Sequence, residues 1–430
     1  MTEPDSGVFP EHTTVTLPDT SRRSVITGIG VVAPNGLDTE AWWKATQKGT
    51  SGLDRITHFD PERYETQIAG EVNGFKPEDH IEKRLMVQTD RWTWMALAAT
   101  QMAFEDAKFV PEEHDPWTQG AITASSSGGN EFGQREIQAL WAKGPGFVGA
   151  YQSIAWFYAA TTGQISIKYG MKGPCSVIVS EGTGGLEALQ HSRRMLRRNA
   201  EVIVSGGCEA PIGPYALTCQ MRNGYLSKGS DAAAAYRPFD KAAAGYVPGE
   251  GGAILLVETP EGAEERGVPQ VYGEIAGYGA TNDAHHYGAP APDGRQYARA
   301  MRVALEDAGI GPADVDVVFA DGAGVPEADA IEAAAIKDVF GKRGTEVPVT
   351  VPKSMVGRLY AGGASLDVAT ALLAIRDGVI PPTINLDDPA DGCDLNFVTG
   401  SAKKADLGTA LVVARGYGGF NGALVLRRAG

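Results

Sequence analysis

The strongest constraint on the fold is an alternation of strand and helix patterns that runs along the whole chain and occurs twice. Short apolar, β-rich runs predict buried strands at Ser24–Val32, Gly120–Ala124, Ser176–Val179, Val202–Ser205, Ala253–Glu258, Gln270–Tyr278, Val315–Ala320 and Ala410–Val413. Helices are predicted between them at Thr39–Gln47, Arg91–Asp106, Gly133–Ala142, Thr183–Asn199, Gly294–Ala308 and Ala328–Phe340. This alternation predicts an α/β fold with largely parallel, buried sheets.

The repeat divides the chain into two halves, residues 22–258 and residues 259–430. The polar segment Pro260–Gly267 is the expected seam between them. A chain of 430 residues has room for two such halves of roughly 200 residues each. Residues 1–21 are expected to form a flexible arm, because they are polar and lack the basic and apolar regions of a signal peptide.

Composition excludes several classes of protein. A formal net charge of −15 argues against binding to the phosphates of nucleic acids. No stretch approaches the roughly 18 consecutive apolar residues of a membrane span, so a cytoplasmic protein that does not bind membranes is expected. The four cysteines form no CxxC pair, so neither a zinc site nor a disulfide framework is predicted.

A glycine-rich turn between a predicted strand and a predicted helix, at Ser180–Thr183, is the first candidate site. Such an elbow often carries a nucleophile, because a thiol at a helix N-terminus gains acidity. Here the elbow contains Glu181 and Gly182 but no cysteine. Cys175, seven residues before Gly182, is interpreted as a small buried packing residue. A turn that serves only close packing is the alternative interpretation of the elbow.

Several long motifs in one order resemble the β-ketoacyl synthases of the thiolase fold over nearly the whole chain. They are VITGIGVVAPNG from Val25, RPFD from Arg237, GYVPGEGGAILLVE from Gly245 and the terminal GYGGFNGALVLRR. The resemblance implies duplicated βαβαβαββ halves in a five-layered αβαβα architecture. At the elbow, Gly184–Ala188 matches the S-G-L-D-A part of the family's motif, which leaves Gly182 at the position of the catalytic cysteine.

The two catalytic histidines of the family are also replaced. The motif H-G-T-G-T-x-x-x-D-x-x-E corresponds to a segment that starts at Asp321, and K-S-x-x-G-H corresponds to a segment that ends at Arg358. No histidine follows His286 in the chain. The motif residues that the chain retains are Asp329, Glu332, Lys353 and Asn421.

These replacements remove the groups that a ketosynthase needs. The resembled enzymes use a thiolate to hold the acyl chain and two imidazoles to assist decarboxylation. Gly182 cannot form a thioester, and Asp321 would place negative charge where an enolate oxygen develops. Arg358 is a fixed cation that cannot shuttle protons near neutral pH. The resemblance therefore implies a subunit of an acyl-transferring complex that has no catalytic residues of its own.

A scaffold without its reactive groups looks like the chain-length factor, or ketosynthase β subunit, of type II aromatic polyketide synthases. Ala121–Trp141 and Ala150–Gly170 carry this resemblance. It implies a heterodimer with an active ketosynthase, which elongates a poly-β-ketone by decarboxylative Claisen condensation of malonyl units on an acyl carrier protein. The phosphopantetheine arm of that carrier would supply the chemistry, and no cofactor of its own is expected. Many relatives carry glutamine where this chain has Gly182, which lacks the amide associated with decarboxylation.

In the resembled family, a helix at the subunit interface closes the far end of the acyl tunnel. The matching positions are Asn130, Gly133 and Ile137, whose spacing of three and then four places them on one helical stripe. The small side chains imply a long tunnel and a decaketide-length product, and Phe or Trp at position 133 should shorten the product. Ordinary helix packing is the alternative.

Two other functions stay open from the sequence. One is a malonyl-carrier-protein decarboxylase that supplies an acetyl starter unit, which would need Glu181 or Asp321. The other is an acyl-binding homodimer of the same fold. Arg358 beside Asp321 is expected to form a structural ion pair, since isolated buried charges are costly.

Two surface features also have two interpretations each. The arginines Arg193, Arg194, Arg197 and Arg198 are expected to form a solvated helix end, with contact to an acidic carrier protein as the alternative. The apolar segment Ala155–Ala159 is either interface or core.

Overall fold

The computed structural model describes Asp19 and residues 21–430. Its strands are β1 (Val25–Val32), β2 (Asp54–Arg55), β3 (Ile68–Ala69), β4 (Gln119–Ala124), β5 (Cys175–Ile178), β6 (Val202–Glu209), β7 (Gly251–Glu258), β8 (Gly273–Asn282), β9 (Val317–Phe319), β10 (Pro348–Thr350), β11 (Val379–Ile380), β12 (Asn396–Phe397), β13 (Lys403–Lys404), β14 (Thr409–Gly416) and β15 (Phe420–Arg427). The flexible arm predicted for residues 1–21 lies outside the described residues, apart from Asp19 and Ser21.

The α-helices alternate with these strands. They are α1 (Thr39–Gln47), α2 (Lys83–Gln88), α3 (Arg91–Ala107), α4 (Asn130–Lys143), α5 (Gln152–Ala155), α6 (Ala160–Lys168), α7 (Gly184–Leu196), α8 (Pro214–Met221), α9 (Pro260–Arg266), α10 (Arg295–Asp307), α11 (Pro326–Phe340) and α12 (Ala361–Asp377).

Eleven strands form one continuous sheet in the order β12-β10-β9-β14-β15-β8-β1-β7-β6-β4-β5. Strand β1 joins the two halves, because Val25 and Ile26 pair with Glu274 and Gly273 of β8. The prediction of largely parallel sheets is wrong. Strands β4, β5 and β6 are parallel, as are β9, β10, β12 and β14, whereas β7, β1, β8 and β15 run antiparallel to their neighbours. The last two strands of each half pair antiparallel, and the tight turn between β14 and β15 permits only that direction.

The two halves repeat one topology. The first follows β1-α3-β4-α6-β5-α7-β6-β7 and the second follows β8-α10-β9-α11-β10-α12-β14-β15. Helices α7 and α12 pack between the two halves of the sheet, α3 and α6 cover one outer face, and α10 and α11 cover the other. The expected duplicated βαβαβαββ halves and five αβαβα layers are therefore confirmed.

Helix α12 lies at the centre of the molecule, where Ala361–Ile375 is buried without interruption. The sequence patterns did not predict it, because a helix surrounded by protein on all sides has no polar stripe and no amphipathic period. Its N-terminus begins three residues after Arg358, so the helix determines where that side chain enters the site.

One local expectation is corrected by the architecture. Cys175 is exposed and not a buried packing residue, because β5 is the outermost strand of the sheet and no further strand covers it. The polar seam at Pro260–Gly267 contains helix α9, whose first turn is capped by the Thr259 hydroxyl accepting the Gly262 N–H at 3.2 Å. The boundary between residues 258 and 259 stays a prediction, since the halves share one sheet.

Within residues 21–430, no helix combines the length and the apolar character that crossing a membrane requires. The same described residues contain no cluster of three or more His, Cys, Asp and Glu side chains that could hold a metal ion.

Candidate functional site

Chain segments that are distant in the sequence meet beyond the carboxyl ends of the strands. Gly182 follows β5, Asp321 follows β9, and Arg415 lies near the end of β14. Arg358 precedes α12 and reaches the same point. The carboxyl ends of strands are where open α/β sheets place their ligand sites, so the degenerate positions predicted from the motifs occupy one location.

Arg358 and Asp321 form a buried ion pair. The Arg358 Nη1 donates to Asp321 Oδ2 at 2.8 Å, and Nη2 donates to the Arg415 carbonyl oxygen at 3.1 Å. Burial opposes the charge on Asp321, but the guanidinium holds the pKa of Asp321 below its usual value. Burial likewise opposes the charge on Arg358, yet Asp321 raises its pKa well above the usual value. Both groups stay charged near neutral pH, and neither can act as an acid or base there.

Gly182 has no room for a side chain. A Cβ atom at this position would lie 2.3 Å from the Arg415 carbonyl oxygen and 3.5 Å from the Arg358 Nη2. Neither cysteine nor glutamine fits there without moving backbone. The cavity beside Gly182 measures about 10 Å³, which is about the space of one water molecule.

A larger cavity of about 100 Å³ lies in front of this pair. Glu181 lines it in a left-handed backbone conformation, with φ at 50°, and its carboxylate accepts the Tyr417 N–H at 2.7 Å. Burial raises the pKa of Glu181, and Arg358 counteracts part of that effect. Three further tyrosines line the cavity, namely Tyr225, Tyr246 and Tyr360.

The retained motif residues hold other parts of the protein. Glu332 accepts the backbone N–H groups of Asp321 and Gly322, each at 2.8 Å. Lys353 forms a buried ion pair with Asp367 and donates to the Ala320 carbonyl oxygen at 3.3 Å. These contacts keep the loop after β9 and the start of α12 in place.

Two more retained residues act in the same way. Asn421 Nδ2 donates to Asp283 Oδ1 at 2.7 Å, and Asp329 accepts the Phe239 N–H at 2.8 Å. All four retained motif residues are therefore hydrogen-bonded or ion-paired within the chain.

The predicted gate positions lie on α4. Gly133 is buried, Asn130 is half-buried, and Ile137 is 42% exposed. The space beside Gly133 is filled by Trp156, because a Cβ atom at position 133 would lie 2.8 Å from the Trp156 Cδ1. Sequence reasoning did not connect these two residues, although the apolar segment Ala155–Ala159 was singled out.

The arginines at the end of α7 do not form a uniformly solvated cluster. Arg193 is buried, pairs with Asp307 and donates to the Ala276 carbonyl oxygen at 2.9 Å, so the expectation of a solvated helix end is wrong for it. The contact joins α7 to the second half of the molecule. Arg194 and Arg198 are exposed.

Exposed apolar side chains lie on the second half of α4, in and just after α5, and directly after β5. We call them the apolar face, and they are Ile137, Leu140, Trp141, Ile154, Phe157 and Val179. Exposed apolar patches mark interaction sites. Strand β5 adds unpaired backbone groups at the end of the sheet, which can pair with a strand of another chain.

Two family models match the chain in succession. The β-ketoacyl synthase N-terminal domain matches residues 21–262, and the β-ketoacyl synthase C-terminal domain matches residues 272–387. Together they cover more than half of the chain.

Similar proteins match over almost the full length. The tetracenomycin polyketide synthase ketoacyl synthase beta subunit of Streptomyces glaucescens is 53% identical over 407 residues, which cover 94% of this chain and 98% of that protein. The solved ishigamide ketosynthase/chain length factor has a TM-score of 0.87 and 29% identity, covering 95% of this chain and 100% of the matched chain. A type II polyketide synthase acyl-carrier protein in complex with its ketosynthase bound to the hexaketide has a TM-score of 0.88 and 29% identity, covering 96% and 100%.

Proposed function

The chain belongs to the β-ketoacyl synthase family, and we propose that it is the non-catalytic, chain-length-determining subunit of a type II polyketide synthase ketosynthase heterodimer. The relatives named as ketosynthase beta subunits and chain length factor support this function. Its partner ketosynthase carries out the decarboxylative Claisen condensations, and this chain shapes the tunnel in which the poly-β-ketone grows.

The observation that carries the proposal is the closed site at Gly182. A side chain there would collide with the Arg415 carbonyl oxygen, and the Arg358–Asp321 pair occupies the neighbouring space. A nucleophile, a substrate carbonyl and a general base need mutual access within hydrogen-bonding distance. About 10 Å³ cannot contain an acyl or malonyl group.

The malonyl-carrier-protein decarboxylase is not favoured. Gly182 offers no amide, and Asp321 is already paired with a buried cation. Glu181 lines the larger cavity, but its carboxylate accepts a backbone N–H. The described residues that line this cavity include no histidine and no side-chain amide, the groups that would assist decarboxylation.

The partner ketosynthase binds the apolar face and the free edge of β5. Burying aromatic side chains such as Trp141 and Phe157 against a second chain removes apolar surface from water, and strand pairing satisfies the backbone groups of β5. The acyl carrier protein delivers substrates on its phosphopantetheine arm to the partner, and this chain needs no cofactor of its own. We place the complex in the cytoplasm.

The stripe Asn130, Gly133 and Ile137 closes the tunnel at this interface. Its exposed end, Ile137, is itself part of the apolar face, so a partner bound to that face covers the stripe. Ile137 is smaller than an aromatic residue, which favours a decaketide-length product.

Co-expression with an active ketosynthase tests the proposal. We expect the two chains to co-purify as a complex whose mass is a multiple of one copy of each, and to make a defined long polyketide from malonyl-loaded carrier protein. The ketosynthase alone and this chain alone are the controls. The proposal would be contradicted if this chain alone formed acetyl-carrier protein. It would also be contradicted if the chain formed a homodimer and did not bind the ketosynthase.

A further inference from the structure

The segment Ala155–Phe157 lies directly on the turn that opens α4. A Cβ atom at Gly129 would lie 2.0 Å from the Ala155 carbonyl oxygen, and one at Gly128 would lie 2.6 Å from the Trp156 carbonyl oxygen. The Gly129 N–H donates to that Trp156 oxygen at 3.2 Å. Only glycine permits this approach, so the two glycines hold the backbone of Trp156 against the helix.

Two buried carboxylates keep the turn itself in place. Asp90 accepts the Phe132 N–H at 3.0 Å, in the first turn of α4. Glu209, at the end of β6, accepts the Ser126 N–H and the Ser127 hydroxyl, each at 2.5 Å. The turn beneath Trp156 is therefore anchored to the N-cap of α3 and to the end of β6.

The indole of Trp156 occupies the volume that a side chain at position 133 would fill. A Cβ atom at Gly133 would lie 2.8 Å from the indole Cδ1 and 3.5 Å from Nε1. Trp156 as a whole nevertheless remains 44% exposed. A tryptophan held in this way presents a large, rigid group with few rotatable bonds.

We propose that Trp156 is the side chain with which this subunit limits the length of the growing polyketide, and that Gly133 positions it. The inference rests on the proposed function, because it assigns a length-limiting residue to that same tunnel. Position 133 then acts indirectly: its lack of a side chain does not lengthen the tunnel but makes room for the indole.

Substitutions in the co-purified heterodimer test this assignment. Trp156→Ala and Trp156→Leu are expected to raise the ratio of longer to native-length products by roughly tenfold or more, since even one methylene in a pocket changes discrimination by about 10- to 200-fold. Trp117→Ala, which removes another exposed tryptophan of the same half, is the matched control and should leave the ratio unchanged. Product lengths are measured by mass spectrometry, and complex formation by co-purification of the same samples.

A coupled substitution at position 133 tests the positioning role. Gly133→Ala alone should push the indole outwards and change the lengths of the products. The same substitution should have no effect on product length when it is combined with Trp156→Ala. Unchanged lengths with Trp156→Ala and Trp156→Leu in an intact complex would overturn the inference and leave the proposed function standing. Loss of the complex with both variants would also overturn it, since Trp156 would then be a partner anchor. A wild-type chain that forms no complex would overturn the proposed function itself.

Discussion

At the scale of single residues, the site lacks the catalytic groups of a condensing enzyme, and other groups occupy the space that those groups would need. Arg358 and Asp321 neutralise each other, and the Arg358 Nη2 bonds to the carbonyl oxygen of Arg415 that closes the position of Gly182. The three degenerate positions therefore support one another. A buried pair of this kind holds its surroundings in one arrangement, and removing one partner leaves an unpaired charge.

Replacement of Arg358 by Gln should lower the free energy of unfolding by about 3–5 kcal/mol, because Asp321 would stay buried without its cation. The double variant Arg358→Met, Asp321→Leu should recover most of this loss. Lys241→Gln, which breaks the exposed pair with Asp388, is the control and should leave the free energy of unfolding almost unchanged. Urea unfolding followed by circular dichroism measures all three. Equal effects of Arg358→Gln and Lys241→Gln would contradict the buried-pair argument.

Restoring the cysteine should not restore chemistry. Gly182→Cys is expected to form no acyl-enzyme with acyl-loaded carrier protein, and to lower the melting temperature, because its Cβ would lie 2.3 Å from a backbone oxygen. Gly163→Ala, in helix α6 with nothing within 4 Å of the added carbon, should leave the melting temperature unchanged or raise it. Intact-protein mass spectrometry detects the adduct. A stable acyl adduct on Gly182→Cys would show that the site has room.

At the scale of elements, the position of α4 depends on the loop that precedes it. Glu209 bonds to three consecutive serines of that loop, Ser125 to Ser127. Asp90 secures the first turn. The position of the proposed gate stripe is thus set by carboxylates at the end of β6 and at the N-cap of α3, outside the helix that carries the stripe.

This anchoring predicts a pH dependence of stability. Burial raises the pKa of Glu209 from its ordinary value of 4.5 to about 7. The folded state then binds the proton more tightly than the unfolded state, so the free energy of unfolding falls as pH rises from about 5 to about 7. At about 1.4 kcal/mol for each pKa unit, the fall is of the order of 3 kcal/mol.

Glu209→Gln cannot titrate and should remove this part of the pH dependence. Glu306→Gln, on the exposed face of α10, should unfold with the pH dependence of the wild-type chain. Chemical unfolding at pH 5, 6, 7 and 8 provides the comparison. If the free energy of unfolding of Glu209→Gln falls with pH as it does in the wild-type chain, the pH dependence arises from other groups.

At the scale of the whole molecule, the fold leaves one end of its sheet open. Strand β5 ends the sheet, and the apolar face adjoins it, with Trp141 84% exposed. An unpaired strand edge beside exposed aromatic side chains is a liability in a chain that acts alone. Both become an asset when a second chain of similar architecture covers them.

Trp141→Asp should weaken the complex with the ketosynthase by roughly 30-fold or more, the effect of losing an interface residue worth at least about 2 kcal/mol. Tyr287→Asp, which places the same charge at an exposed aromatic position of the second half, should bind as the wild type does. Titration followed by size-exclusion chromatography or native mass spectrometry measures the dissociation constants. Equal affinities of the two variants would exclude the apolar face as the interface.

Most of the element order and the identity of the degenerate site could be predicted from the sequence. Helix α1 was predicted with its observed bounds, and Gly182, Asp321 and Arg358 were identified by position in motifs. The two errors about exposure share a cause, because exposure depends on neighbours from elsewhere in the chain. Cys175 is exposed because β5 is last in the sheet, and Arg193 is buried because α7 packs against the second half, where Arg193 bonds to Asp307 and Ala276.

By itself, the sequence determined which chemical groups the chain possesses and the alternation that builds two similar halves, since both depend on residue identity and local period. The tertiary structure alone decided that Gly182 has no space beside it, that Arg358 reaches Asp321, and that Trp156 lies over Gly133. These outcomes depend on distances of a few ångströms between segments far apart in the chain, and such distances are set only when the layers pack.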